Sequence, residues 1–127
     1  MSTLQFNASF NMRPAVLLRL EGVTLFAAAV ALYIHLGGSA LLFAALLFAP
    51  DLTMLGYLAG PTLGARLYNL THTITIPALL LVFGLTVAMP TLVLVALVGL
   101  AHIGMDRFLG YGLKYTTAFK DTHLQRL

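Results

Sequence analysis

Five ionisable side chains interrupt stretches of sequence that are otherwise apolar enough to span a membrane: Glu21, Asp51, His72, His102 and Asp106. A charged group near the centre of a membrane helix costs about 2.5–3.5 kcal/mol on insertion scales, so such groups normally face a partner, a cavity or a ligand. Two imidazoles and two carboxylates form a mixed nitrogen and oxygen ligand set, which suits Zn, Mn or Fe. These residues therefore predict metal chemistry within a membrane protein.

We predict that four of these residues bind one divalent metal, either Zn, Mn or Fe: Asp51, His72, His102 and Asp106. A metal in such a site activates a bound water for hydrolysis, and Glu21 is a candidate base for that reaction. Arg66 and Arg107 are candidates for steadying a phosphate group. The predicted activity is metal-dependent hydrolysis of a lipid-linked or membrane-delivered substrate.

The composition is that of an integral membrane protein. Of the 127 residues, 60% are hydrophobic and 9% are charged, and there is no Trp or Cys. A water-soluble domain of this size does not tolerate such a composition. The absence of Cys excludes disulfides and thiolate ligands. The net charge of +3 does not indicate a nucleic-acid partner, because the basic residues lie at predicted helix ends, and the expected partner is the lipid bilayer.

The apolar runs predict four membrane-spanning helices joined by short turns. About 20 residues at 1.5 Å each are needed to cross a ~30 Å hydrocarbon core. We expect Pro50 to bend the second helix and Pro77 to lie inside the third. The predicted helices cover residues 14–36, 40–59, 63–88 and 90–109. The fold is therefore predicted to be an all-α four-helix bundle over residues 14–112, flanked by a tail at 1–13 and a solvated tail at 113–127.

The basic residues all fall on or near one side of this bundle: Arg13, Arg19, Arg66, Arg107, Lys114, Lys120 and Arg126. Under the positive-inside rule, both termini are cytoplasmic, and the turns near Gly37 and Met89 face outward. The same rule makes both terminal tails cytoplasmic. An aromatic belt is predicted at the inner boundary from four tyrosines: Tyr57, Tyr68, Tyr111 and Tyr115.

Helix rise brings the five ionisable groups to one depth. Counted from the cytoplasmic ends, all five lie in a slab on the order of 10 Å thick. His102 and Asp106, four residues apart, project from one helix face. A second polar stripe is formed by Arg66, Asn69 and His72. We expect the two stripes to meet Asp51 at one interior cavity in the cytoplasmic half, while His35 stands apart near the outer boundary.

Three other interpretations fit the same residues. In a non-catalytic membrane module, alone or as a homo-oligomer, the histidines would bond to backbone or to Tyr68, and the acids would pair with Arg19, Arg66 and Arg107. A small proton-linked carrier would also use paired His and acid groups. The third and least favoured is a haem ligated by His72 and His102, because carboxylates next to these histidines would be unfavourable neighbours for the macrocycle.

Several short sequence motifs, which occur from Leu17 onward, make the chain resemble a bacterial membrane family, domain of unknown function 4260. The resemblance implies no activity, and it implies a multi-pass protein of the bacterial inner membrane. The motifs are Arg19-Leu-Glu-Gly22, Ala49-Pro-Asp-Leu-Thr-Met-Leu-Gly-Tyr-Leu-Ala-Gly-Pro61, Tyr68-Asn-Leu-Thr-His-Thr73, Ala101-His-Ile-Gly-Met-Asp-Arg-Phe-Leu-Gly-Tyr-Gly-Leu-Lys114 and Phe119-Lys-Asp-Thr-His-Leu124.

A looser similarity is to the membrane-bound metal-dependent hydrolases associated with the LexA regulon. Pro50-Asp51, Thr71-His72 and His102 with Asp106 resemble elements of that family in the same order. The sequence departs from the family pattern after Asp51, where an Asp-rich continuation is missing. It also lacks the His-Arg-Gly that would precede Thr71. The similarity implies a metal-dependent hydrolase with an incomplete two-metal site.

The predicted sidedness can be tested with reporters fused after Leu127. A green fluorescent protein there should fluoresce, and alkaline phosphatase there should be inactive, because its disulfides form only in the oxidising periplasm. Phosphatase inserted at the turn near Gly37 serves as the control and should be active. An active phosphatase after Leu127 would contradict the topology.

Overall fold

The computed structural model describes residues 13–127, and its regular structure is helical. Four helical runs in this range are long and apolar enough to cross a membrane: Pro14–His35, Ala40–Ala59, Pro61–Thr86 and Pro90–Leu109. The all-α class and the number of candidate spans are confirmed. Which side each end faces stays a prediction, and nearly all of the predicted tail at 1–13 lies outside the described residues.

Within these runs the chain forms five α-helices and one 3₁₀ segment. In chain order they are α1 (Pro14–His35), α2 (Ala40–Leu47), the 3₁₀ segment (Ala49–Ala59), α3 (Pro61–His72), α4 (Thr75–Thr86) and α5 (Pro90–Leu109). The second and third candidate spans therefore each consist of two helical pieces, and each change of geometry occurs close to a proline.

The break in the second span follows from Pro50. Its ring clashes with the carbonyl four residues earlier, and it has no N–H to donate, so the α-helix ends at Leu47. The chain continues as a 3₁₀ helix of 11 residues, with Pro50 in its first turn. Runs of 3₁₀ helix longer than about four residues are uncommon and often mark functional sites. The predicted bend is thus a change of helix type.

The third span is interrupted where a continuous helix was predicted. Thr73 has extended backbone angles, with φ of −86° and ψ of 137°, and α4 begins two residues later. Pro77 lies in the first turn of α4, where a missing N–H is tolerated. Its ring would clash with the carbonyl of Thr73 if Thr73 had helical backbone angles. The prediction of one helix over 63–88 was therefore wrong, and His72 lies at the end of α3 instead of mid-helix.

Helix α5 forms the centre of the molecule. It packs against α1, α2 and α4, whereas α3 packs mainly against the 3₁₀ segment. Its residues Leu97, Ala101 and Ile103 are at most 1% exposed. Gly110 ends the helix in the left-handed conformation, at φ of 92°, as the predicted stop at this glycine requires. Near the end of α5, His102, Asp106 and Arg107 are consequently buried, whereas Phe108 and Leu109 are about half exposed.

Two glycines allow α1 and α5 to cross closely. A Cβ atom at Gly104 would lie 2.6 Å from the backbone nitrogen of Phe26 and 2.7 Å from the carbonyl oxygen of Gly22. A Cβ atom at Gly22 would lie 2.6 Å from the Cβ atom of Arg107. Small residues of this kind let helix backbones approach one another in membrane bundles. The crossing therefore depends on both glycines.

We expect Gly104→Ala to destabilise the protein, because the new methyl group meets backbone atoms of α1 that cannot rotate away. Overpacking of this kind typically costs ~1–3 kcal/mol, against a gain of up to ~1 kcal/mol in helix propensity. Thermal unfolding in detergent measures the difference. Gly99→Ala is the matched control, because its nearest neighbour is the Pro77 side chain at 3.3 Å. Equal stability of the two variants would contradict the close crossing.

Candidate metal centre

The structure brings the predicted ligands together from three elements. Asp51 lies on the 3₁₀ segment, His72 is the last residue of α3, and His102 and Asp106 lie one turn apart on α5. Each residue contributes one ligand atom, and the four atoms all lie within 4.8 Å of one another. The predicted convergence of His72, His102 and Asp106 with Asp51 is therefore observed, although no metal is shown.

Five of the six distances among the four ligand atoms are close to the edge of a tetrahedral metal shell, and the sixth, between the Asp51 and Asp106 oxygens, is at most 4.8 Å. The Nε2 atom of His72 lies 3.0 Å from Oδ1 of Asp51, 3.4 Å from Oδ2 of Asp106 and 3.0 Å from Nε2 of His102. The Nε2 atom of His102 lies 3.2 Å from each of the same two carboxylate oxygens. A regular tetrahedron with ligand bonds of ~2.0–2.1 Å has edges of roughly 3.3–3.4 Å. An ion of zinc's size would fit after small shifts.

Backbone carbonyls determine which ring nitrogens face inward. Nδ1 of His72 lies 2.8 Å from the carbonyl oxygen of Tyr68, and Nδ1 of His102 lies 2.5 Å from that of Leu47. A carbonyl only accepts hydrogen bonds, so each Nδ1 carries the proton and donates it. In the neutral imidazoles both Nε2 atoms then present lone pairs to the centre. This is the arrangement that metal-bound histidines usually adopt.

The break in the second span provides one of these carbonyls. The last carbonyls of an α-helix have no partner within it, and α2 ends at Leu47. The Leu47 carbonyl is therefore free to accept the bond from His102. A carbonyl at the end of α3 also has a partner on α5. The Arg107 guanidinium donates a hydrogen bond to the carbonyl of His72 at 3.1 Å.

Burial divides the cluster into an enclosed side and an accessible side. His72 and His102 are 0% exposed, and Asp106 is 7% exposed. The Asp51 side chain is 30% exposed. The ring of Tyr68 stacks on His72 with centroids 3.6 Å apart, and its hydroxyl lies 3.5 Å from Asp106. The centre can therefore be approached past Asp51, whereas the other three ligands are covered.

The structure places the predicted catalytic residues outside the ligand cluster. Glu21 is exposed on α1 and shares a surface pocket with Arg107 and Ile74. Arg66 is exposed and makes no hydrogen bond within residues 13–127. Arg107 is buried, and it donates to the carbonyls of His72 and Tyr111. The catalytic roles of these residues stay predictions, while the position of Arg107 indicates that it holds the end of α3.

One interpretation of the boundary residues is corrected, and another agrees with the structure. Tyr68, which was predicted to belong to an aromatic belt, is only 2% exposed and packs against the cluster. Its position four residues before His72 is the sequence signal that could have located it there, because such pairs share a helix face. His35, by contrast, is exposed at the end of α1 and stands apart from the cluster, as expected.

The carboxyl-terminal segment was predicted to be solvated, but part of it folds back, while residues 115–120 and 125–127 are exposed. The side chain of Asn69 forms two 2.7 Å hydrogen bonds with the backbone of Lys114, one to its carbonyl and one from its N–H. Lys114 then forms an antiparallel bridge with Thr122, and both residues are buried. The polar stripe on α3 therefore serves two purposes, since His72 faces the cluster and Asn69 holds this segment.

Two ionisable side chains of this segment have shifted pKa values, Lys114 because it is buried and Asp121 because it accepts hydrogen bonds. Burial lowers the pKa of Lys114 to about 8, so the ammonium form still predominates at neutral pH. At the exposed end, hydrogen bonds from Arg126 and Thr117 lower the pKa of Asp121 to about 2. Arg126 contacts both carboxylate oxygens of Asp121, at 2.8 and 2.6 Å. Lys114 thus brings a positive charge close to Tyr68 and to the ligand cluster.

An all-helical chain with four apolar spans and a buried Asp and His cluster defines a small bundle that could hold a metal. The chain belongs to the family described as domain of unknown function (DUF4260), whose family model matches residues 15–127. No curated protein and no solved structure matches the chain. The resemblance to this family is confirmed, and the looser similarity to the hydrolases is not.

We expect Asn69→Ala to release the carboxyl-terminal segment, because it removes both hydrogen bonds to the buried Lys114 backbone. Leaving buried polar groups unsatisfied typically costs ~1–3 kcal/mol each. Trypsin should then cleave after Lys114 and Lys120 faster than in the parent protein. Thr86→Ala is the control, because that hydroxyl bonds only within its own helix. Unchanged proteolysis of Asn69→Ala would contradict the docking.

Proposed function

We propose that this chain is a multi-pass membrane protein that binds one divalent transition metal, with Zn²⁺ the best fit. The observation that carries the proposal is the convergence of four ligand atoms within 4.8 Å of one another, with five of their six distances at 3.0–3.4 Å. Both histidines also have the tautomer that metal ligation requires. The ligands are Asp51, His72, His102 and Asp106.

Charge balance also supports a divalent ion. Two aspartates and two neutral histidines carry a net charge of −2, which an M²⁺ ion neutralises. Without a cation, two carboxylates and two nitrogen lone pairs would face one another in an enclosed space, which is strongly unfavourable. Two protons could also balance the charge, but both histidines would then carry N–H groups at nitrogens only 3.0 Å apart.

The surface supports placement in a bilayer. Large apolar side chains are exposed along the spans, among them Leu41 at 81%, Leu52 at 67% and Leu58 at 88%. Soluble monomers rarely expose contiguous apolar surface of this extent, whereas lipid tails solvate it. The distribution of basic residues favours cytoplasmic termini in an inner membrane, with the metal centre in the cytoplasmic half.

We further propose that the centre hydrolyses a membrane-associated substrate. Asp51 is the accessible ligand, so an approach on its side brings a substrate to the metal. An apolar cavity of about 290 Å³ adjoins this side, lined by Pro50, Thr71 and Pro77 among others, and it suits a hydrocarbon chain. A bound metal would supply Lewis acidity and an activated water. Neither Glu21 nor Arg66 is needed for this proposal.

Elemental analysis of protein purified in detergent, without chelator, tests metal binding. We expect close to one metal ion per chain, and large losses in His72→Ala and His102→Ala, since each removes a ligand from a four-ligand shell. His35→Ala is the matched control and should retain the metal, because His35 is exposed and lies outside the cluster.

A second measurement guards against misfolded variants. Replacing the native metal of the wild-type protein with Co²⁺ should give the strong visible absorption of tetrahedral cobalt. Asp51→Asn, at the accessible ligand, should weaken that absorption with little loss of folding. A wild-type protein that contains no metal and takes up neither Zn²⁺ nor Co²⁺ at neutral pH would overturn the proposal.

A structural polar network is the alternative that the contacts favour next. Arg107, Tyr68 and the two Nδ1–carbonyl bonds already join α2, α3 and α5 around the cluster. If no metal binds, these contacts would make the cluster a support for helix packing or a proton-linked carrier. Metal content separates this alternative from the metal centre.

A further inference from the structure

A second cavity lies between the carboxyl-terminal segment and α3. Its volume is about 340 Å³, and its lining includes Tyr68, Tyr111, Lys114, Lys120, Thr122 and Gln125. Pockets that hold small ligands have volumes of roughly 300–1,000 Å³. Its lining contains two lysines and no carboxylate. The cavity therefore has the size of a small ligand site and a positive charge.

The Lys114 ammonium is the main reason to expect an anion here. The residue is only 8% exposed, and within residues 13–127 the ammonium has no carboxylate partner. It donates to the carbonyl of Phe119 at 3.0 Å, and it lies over the rings of Phe119 and Tyr68 at 3.0 and 4.5 Å. An ammonium has three N–H donors, and the carboxylates of Asp106 and Asp51 act on this one only from a distance, without an ion pair. An anion in the cavity would contact the ammonium directly.

Another hydrogen-bond donor around the cavity is also available. The Thr122 hydroxyl accepts from the N–H of Gln125 at 3.3 Å, and its own proton has no acceptor in the part of the chain that the structure describes. Buried polar groups normally find a partner, which often is a water or a ligand. The Thr122 hydroxyl therefore adds one available donor to the two lysines of the cavity lining.

We propose that this cavity binds a phosphate group, held by Lys114, Lys120 and the Thr122 hydroxyl. A phosphate carries several acceptor oxygens and a high charge, which match clustered donors around an ammonium. The ring of Tyr68 lines the cavity and stacks on His72, so the phosphate would lie one side chain from the metal centre. The site itself does not require a metal, and only the view that its occupant is a substrate rests on the proposed function.

Calorimetric titration of the full chain in non-ionic detergent tests the site. The probes are inorganic phosphate and a short-chain phosphatidic acid below its critical micelle concentration. We expect saturable binding by the wild type, and affinity reduced at least tenfold in Lys114→Met. Arg126→Gln is the matched control, because it removes one positive charge from the same segment outside the cavity, and it should bind within about twofold of the wild type.

Two further variants keep the test decisive if Lys114→Met folds poorly. Lys120→Gln alters an exposed side chain, and its affinity should fall at least threefold. Lys114→Arg keeps the charge and should bind more tightly than Lys114→Met. Much tighter binding of the lipid than of phosphate would identify a headgroup, and similar binding of both would identify free phosphate, each in support of the proposal.

Three results would overturn it. These are no binding of either probe by the wild type, equal binding by wild type and Lys114→Met, and loss of wild-type binding when a chelator removes metal. The last result would place the anion on the metal. Elemental analysis reports only on the metal centre, and titration of chelated protein reports only on this cavity, so failure of one proposal is distinguishable from failure of the other.

Discussion

The mutual repulsion of four electron-rich atoms in an enclosed space is the constraint around which this structure is arranged. Two carboxylate oxygens and two imidazole nitrogens lie within 4.8 Å of one another, and two of the side chains are fully buried. In apolar surroundings this repulsion is weakly screened, so protons or a cation would be needed to offset it. The proposed metal ion would offset it at a single point between the four side chains.

The irregular backbone of the second and third spans is part of the same arrangement. Unpaired backbone groups are tolerated at membrane depth only where protein or a cavity surrounds them. Both breaks lie beside the cluster: the one after Leu47 frees a carbonyl for His102, and the one at Thr73 leaves His72 at a helix end. Pro50, which directly precedes Asp51, and Pro77 therefore help to position the ligands through the backbone.

Helix α3 connects the cluster to the second cavity. Tyr68 stacks on His72 on one side and lines the cavity on the other, and Asn69 anchors the backbone of Lys114. The carboxyl-terminal segment thus covers the end of the bundle where the polar groups collect. A metal in the cluster and an anion in the second cavity would be separated by the ring of Tyr68. This arrangement would suit a substrate whose phosphate group lies next to the bond that is hydrolysed.

The sequence by itself determined the helical class and the four apolar spans, and it predicted a common depth for the polar groups. Those properties depend on composition, on helix rise and on the cost of burying charge, and all three act locally along the chain. They were sufficient to select Asp51, His72, His102 and Asp106, because polar residues within apolar helices are rare enough to stand out.

Only the tertiary structure decided which atoms meet. The contact between Asn69 and Lys114 joins residues 45 positions apart, and the bond from His102 to Leu47 spans 55 positions, so neither leaves a local pattern. Proline predicts a disturbance in a helix, but whether the chain bends, breaks or becomes 3₁₀ depends on the neighbours that satisfy the freed carbonyls. Glu21 and Arg66 have the predicted depth, yet they lie outside the cluster, because the rotation of a helix is set by its packing, against α5 for α1 and mainly against the 3₁₀ segment for α3.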